Sequence, residues 1–186
     1  MSFSPERCLI VGPSWVGDMI MAQSLFIELK RRYPTLQMDV LAPGWSKAIV
    51  ASMPEVSESI EMPLGHGKLG LAERYHLGKS LRAKGYDWSI VLPNSLKSAL
   101  IPYWANIAKR TGYIGEMRYG LLNDARKLNK RTLTMTVQRF VALGVVDGSY
   151  SPDDYPKPAL IVNAPEQSET LVAFKLKTEG RPVLAL

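Results

Sequence analysis

Asp18 lies near the end of the run LIVGPSWVGDM (residues 9–19), where a short apolar strand gives way to a Gly/Pro turn and a helix begins. An open α/β sheet meets its ligands at the carboxyl ends of its strands, so a carboxylate here stands where chemistry is done. Two roles fit it. It can serve as a general base that takes a proton from a bound hydroxyl, or as the cap of the following helix, a common task for aspartate. Ser14, Trp15 and Gly17 share the turn. The turn is not a nucleotide motif. It lacks the third glycine of the dinucleotide fingerprint and the Gly-Lys-Ser/Thr of a phosphate loop.

Three further segments carry reactive residue types. Pro93–Ser98 supplies Asn94, Ser95 and Lys97 after a strand, on the same rim as Asp18. It can hold an anion at a helix N-terminus, or simply cap that helix beside a solvated lysine. Lys109–Asp124 (KRTGYIGEMRYGLLND) combines Arg110, Arg118, Glu116 and Tyr119 with several glycines. Long polar-aromatic loops are often functional, though a turn with a surface ion pair fits as well. His66 in MPLGHG has no Cys, Asp or Glu at ligand spacing, so no metal site is expected. His76 falls on a helix and reads as a surface residue. Ser14 has no arranged histidine and acid, so no Ser-His-Asp set emerges.

These residues need a scaffold. Apolar runs at Cys8–Val11, Gln37–Ala42, Ser59–Met62, Trp88–Leu92 and Arg110–Tyr113 read as strands. Helical patterns fall between and after them, at Asp18–Tyr33, Trp45–Ser52, Leu69–Lys84, Ser95–Ala105 and Thr134–Leu143. Alternation of this kind implies βαβ units: an α/β, Rossmann-like open parallel sheet with helices on both faces. Pro152, Pro156, Pro158 and Pro165 crowd the stretch 147–168, which reads as a linker. Beyond it, Glu166–Thr178 looks helical and Arg181–Leu186 looks like a buried strand. The expected division is a domain over 1–146, a linker over 147–168 and the start of a second domain over 169–186.

Composition narrows the partners. With 46% hydrophobic and 22% charged residues, the chain can bury a sizeable core. A net charge of +6 points to an anionic partner: nucleic acid, a phospholipid surface or a phosphorylated substrate. The basic residues are spread along the chain rather than gathered with aromatics in one stripe, which disfavours nucleic acid. The single cysteine, Cys8, excludes an internal disulfide and reads as a small core residue. No apolar run is long enough to span a bilayer. The N-terminus lacks a signal-peptide core, so a cytoplasmic location is expected, with any membrane contact peripheral.

Five segments together carry a family resemblance: GPSWVGDM (12–19), MPEV (53–56), MPLGHG (62–67), LPNSLKSAL (92–100) and RTGYIGEMRYGLLND (110–124). They resemble the ADP-heptose:lipopolysaccharide heptosyltransferases of glycosyltransferase family 9, from about residue 7 to about residue 145. The resemblance implies the N-terminal, acceptor-side half of a GT-B fold, whose other half holds most of the ADP-heptose. It implies that Asp18 deprotonates a hydroxyl of the inner-core heptose of heptosyl-Kdo2-lipid A, which attacks the anomeric carbon with inversion. Lys97, Arg110 and Arg118 become candidates for contacting this phosphorylated glycolipid at the inner membrane. No Asp-X-Asp pair appears, consistent with a metal-independent reaction, and no cofactor is implied. On its own such a half is expected to be inactive, because a positioned donor contributes much of the rate. Three rivals stand beside this reading: a relative using another sugar donor, a non-catalytic glycolipid-binding or assembly module, and a dinucleotide oxidoreductase. The last is weakened by the missing glycine fingerprint and the absence of a ribose-binding acid after strand two.

Overall fold

The computed structural model describes residues 3–65, 68–145, 150–161 and 164–174. Six parallel strands form one sheet: β1 (Arg7–Val11), β2 (Gln37–Pro43), β3 (Glu58–Met62), β4 (Trp88–Val91), β5 (Lys109–Tyr113) and β6 (Asp124–Arg126). Their spatial order is β3-β2-β1-β4-β5-β6, the doubly wound arrangement the alternating pattern implies. The helices are α1 (Val16–Arg32), α2 (Lys47–Ala51), α3 (Leu71–Leu81), α4 (Leu96–Trp104), α5 (Thr136–Gly144) and α6 (Ala164–Ala173).

The central strands β1, β2 and β4 bury both faces, which explains why they read as unbroken apolar runs. In β1, Cys8 and Ile10 point into one core with Met19, Ala22, Leu25 and Phe26 of α1 and Val141 of α5. Leu9 and Val11 point to the other, with Leu81 of α3 and Ala99 and Ile101 of α4. Cys8 is fully buried among these groups. Gly78 lets α3 and α4 close together: a Cβ there would lie 2.8 Å from the Trp104 Cβ and 2.9 Å from the Ile101 carbonyl oxygen.

Two elements differ from the sequence reading. The helix read from Asp18 starts earlier, at Val16. β6 has no counterpart in the sequence reading: it starts at Asp124, where the loop read over Lys109–Asp124 ends, and a three-residue Asp-Ala-Arg strand has no apolar signal. It is held instead by polar bonds. Asp124 Oδ2 accepts the Thr111 hydroxyl at 2.9 Å and Arg126 Nη2 at 2.9 Å, and Arg126 Nη1 reaches the carbonyls of Ala142 and Val145 at 2.8 Å each. Within the stretch read as a linker, residues 150–161 run along the sheet domain. Gln23 donates to Ala159 O and accepts from Ala159 N, both at 2.9 Å, and Ile161 N donates to Ser52 O at 2.8 Å. The last part of the helix read over Glu166–Thr178, the strand read at Arg181–Leu186, and His66 lie outside the described residues.

Candidate active site

A cleft of about 790 Å³ opens at the carboxyl ends of the strands. It sits at the switch point where the strand order reverses between β1 and β4, the position at which doubly wound sheets bind ligands. From the end of β1 come Gly12, Pro13, Ser14, Trp15 and Asp18; from the end of β4 come Asn94, Ser95 and Lys97. Tyr113 ends β5 and Glu116 follows it, Trp45 follows β2, and Lys130, Thr136 and Arg139 close the side near α5.

The first wall is built by close approach. Gly12 N donates to Leu41 O at 2.9 Å, extending the β1–β2 pairing past the strand end. A Cβ on Gly12 would stand 2.7 Å from the Met19 Cε and 3.2 Å from Leu41 O, so a larger residue here would push the Met19 side chain and the β2 backbone outward. The chain then turns into α1, whose N-cap is Trp15 and makes no side-chain cap bond. Asp18 is thus not a cap. It is the third residue of the first turn, where the helix dipole favours a negative charge. Among the described residues its carboxylate has no hydrogen bond or ion pair. Trp15 and Trp45 line the same cleft with exposed indoles, 69% and 55% accessible, and Trp45 Nε1 donates to Ser14 O at 3.0 Å. Gly17 is exposed next to Asp18, and a Cβ there would meet nothing within 4 Å.

The opposite wall is a clamped loop. Arg118 is 2% exposed. Its Nη1 donates to Pro93 O at 2.6 Å and to the Ser98 hydroxyl at 3.2 Å. Its Nε and Nη2 both reach Tyr113 O, at 3.0 and 2.5 Å, and Nη2 also meets Asn94 Oδ1 at 3.3 Å. Burial pushes the guanidinium pKa down to about 10 against the opposing pull of Glu116. Glu116 stays exposed and reaches across to α4: its Oε2 accepts the Leu96 N–H at 2.8 Å, so a protein carboxylate already occupies the N-terminus of α4. Glu116 and Met117 both adopt positive φ, 40° and 50°, a strain that the anchored side chains on either side hold in place.

Several sequence candidates are therefore reassigned. Arg118 does not line the cleft; it fixes the loop that carries Asn94 and Ser95. Arg110 lies at the amino end of β5, away from the cleft, with its Nε on Leu121 O at 2.7 Å and its Nη1 on Ile107 O at 2.6 Å. Tyr119 is 70% exposed but does not line the cleft. Lys97 does line it, with only a long 3.5 Å contact to Lys68 O. Sequence reasoning passed over Trp45 and Lys130. Trp45 directly follows a strand end, which is a usable signal. Lys130 sits in the basic run Arg126–Arg131, and its ammonium has no partner among the described residues. Arg139 is spent on Leu133 O and Thr134 O. Among the described residues no group of three metal-ligating side chains assembles, and no helix is long and apolar enough to cross a membrane.

Comparison with known proteins agrees with this architecture. The chain is 52% identical to the lipopolysaccharide heptosyltransferase 2 of Salmonella typhimurium over 96% of its own length. It is 55% identical to the lipooligosaccharide heptosyltransferase 2 of Haemophilus influenzae over 95%. It spans about half the length of these curated relatives, 52% in each case. Among solved structures it superposes on the E. coli ADP-heptose LPS heptosyltransferase II with a TM-score of 0.83 and 47% identity, covering 93% of this chain and 52% of that one. The sheet domain thus corresponds to one half of a GT-B fold. The model of Glycosyltransferase family 9 (heptosyltransferase) matches residues 74–186, and the chain belongs to that family.

Proposed function

We propose that this chain is the acceptor-side half of an inverting heptosyltransferase that moves L-glycero-D-manno-heptose from ADP-heptose to the inner-core heptose of lipopolysaccharide. The observation that carries the reading is the Asp18 carboxylate: it lines the cleft at the switch point and has no bond to satisfy within the described protein. A general base needs this, an acceptor ready for a proton and within reach of a bound hydroxyl. In this reading Asp18 takes the proton of the acceptor heptose hydroxyl, whose oxygen attacks the anomeric carbon while ADP leaves from the opposite face. Trp15 and Trp45 offer flat apolar surfaces to a sugar ring, and Asn94 and Ser95 supply polar contacts from the clamped loop. Lys97 and Lys130 are the cations available to phosphates or acidic sugars of a glycolipid acceptor such as heptosyl-Kdo2-lipid A. The ADP-sugar is held mainly by a second domain, with residues 147–168 as its connection, and the enzyme meets its acceptor peripherally at the inner membrane. Neither a metal nor a cofactor has a part in this chemistry.

The test is acceptor-dependent ADP release from ADP-heptose by the full-length protein, wild type beside Asp18→Ala. Release that collapses in the variant, with acceptor binding kept, supports both the reaction and the base. Release that survives the substitution removes Asp18 from the chemistry. No release from either protein favours another donor or a non-catalytic binding module.

A further inference from the structure

The outer surface of the α3–α4 layer has a composition that the cleft does not explain. Leu71 and Tyr75 lie one turn apart on α3 and are 51% and 41% exposed, and Leu69 just before them is exposed as well. Tyr75 meets Trp104 of α4 edge to face, with ring centroids 5.6 Å apart, so the apolar surface continues from one helix to the next. Cations border it. Lys79 Nζ stands 5.6 Å from the centre of the Tyr75 ring, Arg82 Nε donates to Trp104 O at 2.8 Å, and Lys97 Nζ reaches toward Lys68 O. Over residues 68–82 and α4 the one acid is Glu73, in the first turn of α3, and the remaining arginine, Arg74, is buried and bound to Leu69 O. An apolar centre with a cationic border is the pattern that lies down on an anionic lipid surface, its leucines and aromatics entering the interface and its lysines meeting headgroup phosphates.

We infer that this face docks on an anionic phospholipid bilayer. Charge complementarity selects that partner. A second copy of the chain would set Lys68, Lys79 and Arg82 against their own counterparts, whereas a sheet of phosphates neutralises them. The position serves the site. Leu69 and Lys97 belong to both the docking face and the cleft wall, so the cleft mouth opens beside the bilayer. This deepens the proposed reaction, whose acceptor is anchored in lipid, but the docking does not depend on that reaction.

The experiment is co-sedimentation of the full-length protein with vesicles of phosphatidylcholine alone, and of phosphatidylcholine mixed with phosphatidylglycerol, neither containing a glycolipid acceptor. Wild type is expected to bind the mixed vesicles, to leave them as salt is raised, and to ignore phosphatidylcholine alone. Lys79→Glu lowers that binding by about fivefold or more, and Leu71→Asp with Lys79→Glu by about tenfold or more. Both side chains are solvent-exposed, so the unfolding temperature stays at the wild-type value. Lys127→Glu makes the same charge change at an exposed site outside this face and leaves binding within about twofold. The inference is overturned if wild type fails to bind the mixed vesicles, binds both kinds equally, or loses as much affinity through Lys127→Glu. It is also overturned if Leu71→Asp changes the oligomeric state, which would make this face a contact between copies. Because no acceptor or donor is present, failure of the transferase reading leaves these outcomes unaffected.

Discussion

Arg118 Nη1 donates to Pro93 O at 2.6 Å from a position 2% exposed, tying the loop after β5 to the loop after β4. The same guanidinium holds Tyr113 O through Nε and Nη2, so one side chain sets the spacing of two strand ends at the cleft. Removing it leaves buried carbonyls without donors, which costs about 1–3 kcal/mol per site. Arg118→Met is therefore expected to destabilise the protein by about 3 kcal/mol, and Arg118→Lys by about half of that, because an ammonium cannot span the same carbonyls. Urea unfolding of the two variants checks both values. Equal losses would mean that the planar fork of the guanidinium is not what the loops need.

Asp18 presents the opposite balance, since nothing in the described protein depends on its carboxylate. Asp18→Asn should cost less than about 1 kcal/mol of stability, the worth of a negative charge in a first helical turn. On the proposed reaction, the turnover of the full-length protein should fall by about 10²–10⁴, the range a positioned base contributes, while the acceptor KM stays within about threefold. Steady-state kinetics with stability measured alongside checks the pair of outcomes. A large stability loss with an unchanged kcat would make Asp18 a structural residue.

The contrast between Asp18 and Arg118 shows what the sequence reveals. Strand runs such as Cys8–Val11 and Trp88–Leu92 were legible because both of their faces are buried, and their order placed Asp18 and Asn94 on one rim. The start of α1 is hidden because Val16 and Gly17 are weak helix formers, so the sequence pattern sets the start of the helix at Asp18. Arg118 and Arg110 have the residue type of an anion contact, but type does not reveal direction. One side chain is turned inward to carbonyls. The other stands at the amino end of β5, a placement that strand polarity alone could have disclosed. β6 escaped because Asp124 and Arg126 stabilise it through each other and through Thr111, with no hydrophobic pattern.

Gly78 sets two effects against each other. Alanine in its place gains about 1 kcal/mol of helix propensity. Its Cβ would stand 2.8 Å from the Trp104 Cβ and 2.9 Å from Ile101 O, backbone and near-backbone atoms that cannot swing away. Overpacking of that kind costs about 1–3 kcal/mol, so Gly78→Ala should be net destabilising and Gly78→Val more so. Thermal unfolding of both variants decides the sign; an Ala variant more stable than wild type would show that α3 slides freely over α4.

Gln23 is fully buried, and its side-chain amide pairs with the backbone of Ala159 as a neighbouring strand would. It also donates to Glu55 Oε2 at 3.2 Å. Gln23→Leu keeps the bulk and removes these bonds, at about 1–2 kcal/mol. Amide exchange in residues 155–161 should then accelerate by about tenfold, while exchange in β1 and β4 stays within the change in global stability. Uniform acceleration across the sheet would instead mean that the 150–161 segment opens only when the whole domain unfolds.

Tyr113 gives the domain an alkaline limit. Burial pushes its phenol pKa up to about 12 against the pull of Arg126 and Arg139, and its hydroxyl donates to Arg139 O at 2.8 Å. An unfolded tyrosine ionises near pH 10. The folded state thus holds this proton more tightly, so the contribution is fully present below pH 10 and is lost as pH rises from about 10 to about 12. The amount is about 2–3 kcal/mol. Tyr150 is likewise raised to about 12, chiefly by burial, and Tyr86 is raised by burial and by its bond to Asp39, so the whole protein weakens over this range. Unfolding free energies at pH 9 and pH 11.5, compared between wild type and Tyr113→Phe, isolate the Tyr113 share. The phenylalanine variant should be less stable at pH 9 by about 1 kcal/mol for the lost hydrogen bond, yet less sensitive to the rise in pH. Parallel pH profiles for the two proteins would show that the Tyr113 phenol ionises as readily in the folded state as in the unfolded one.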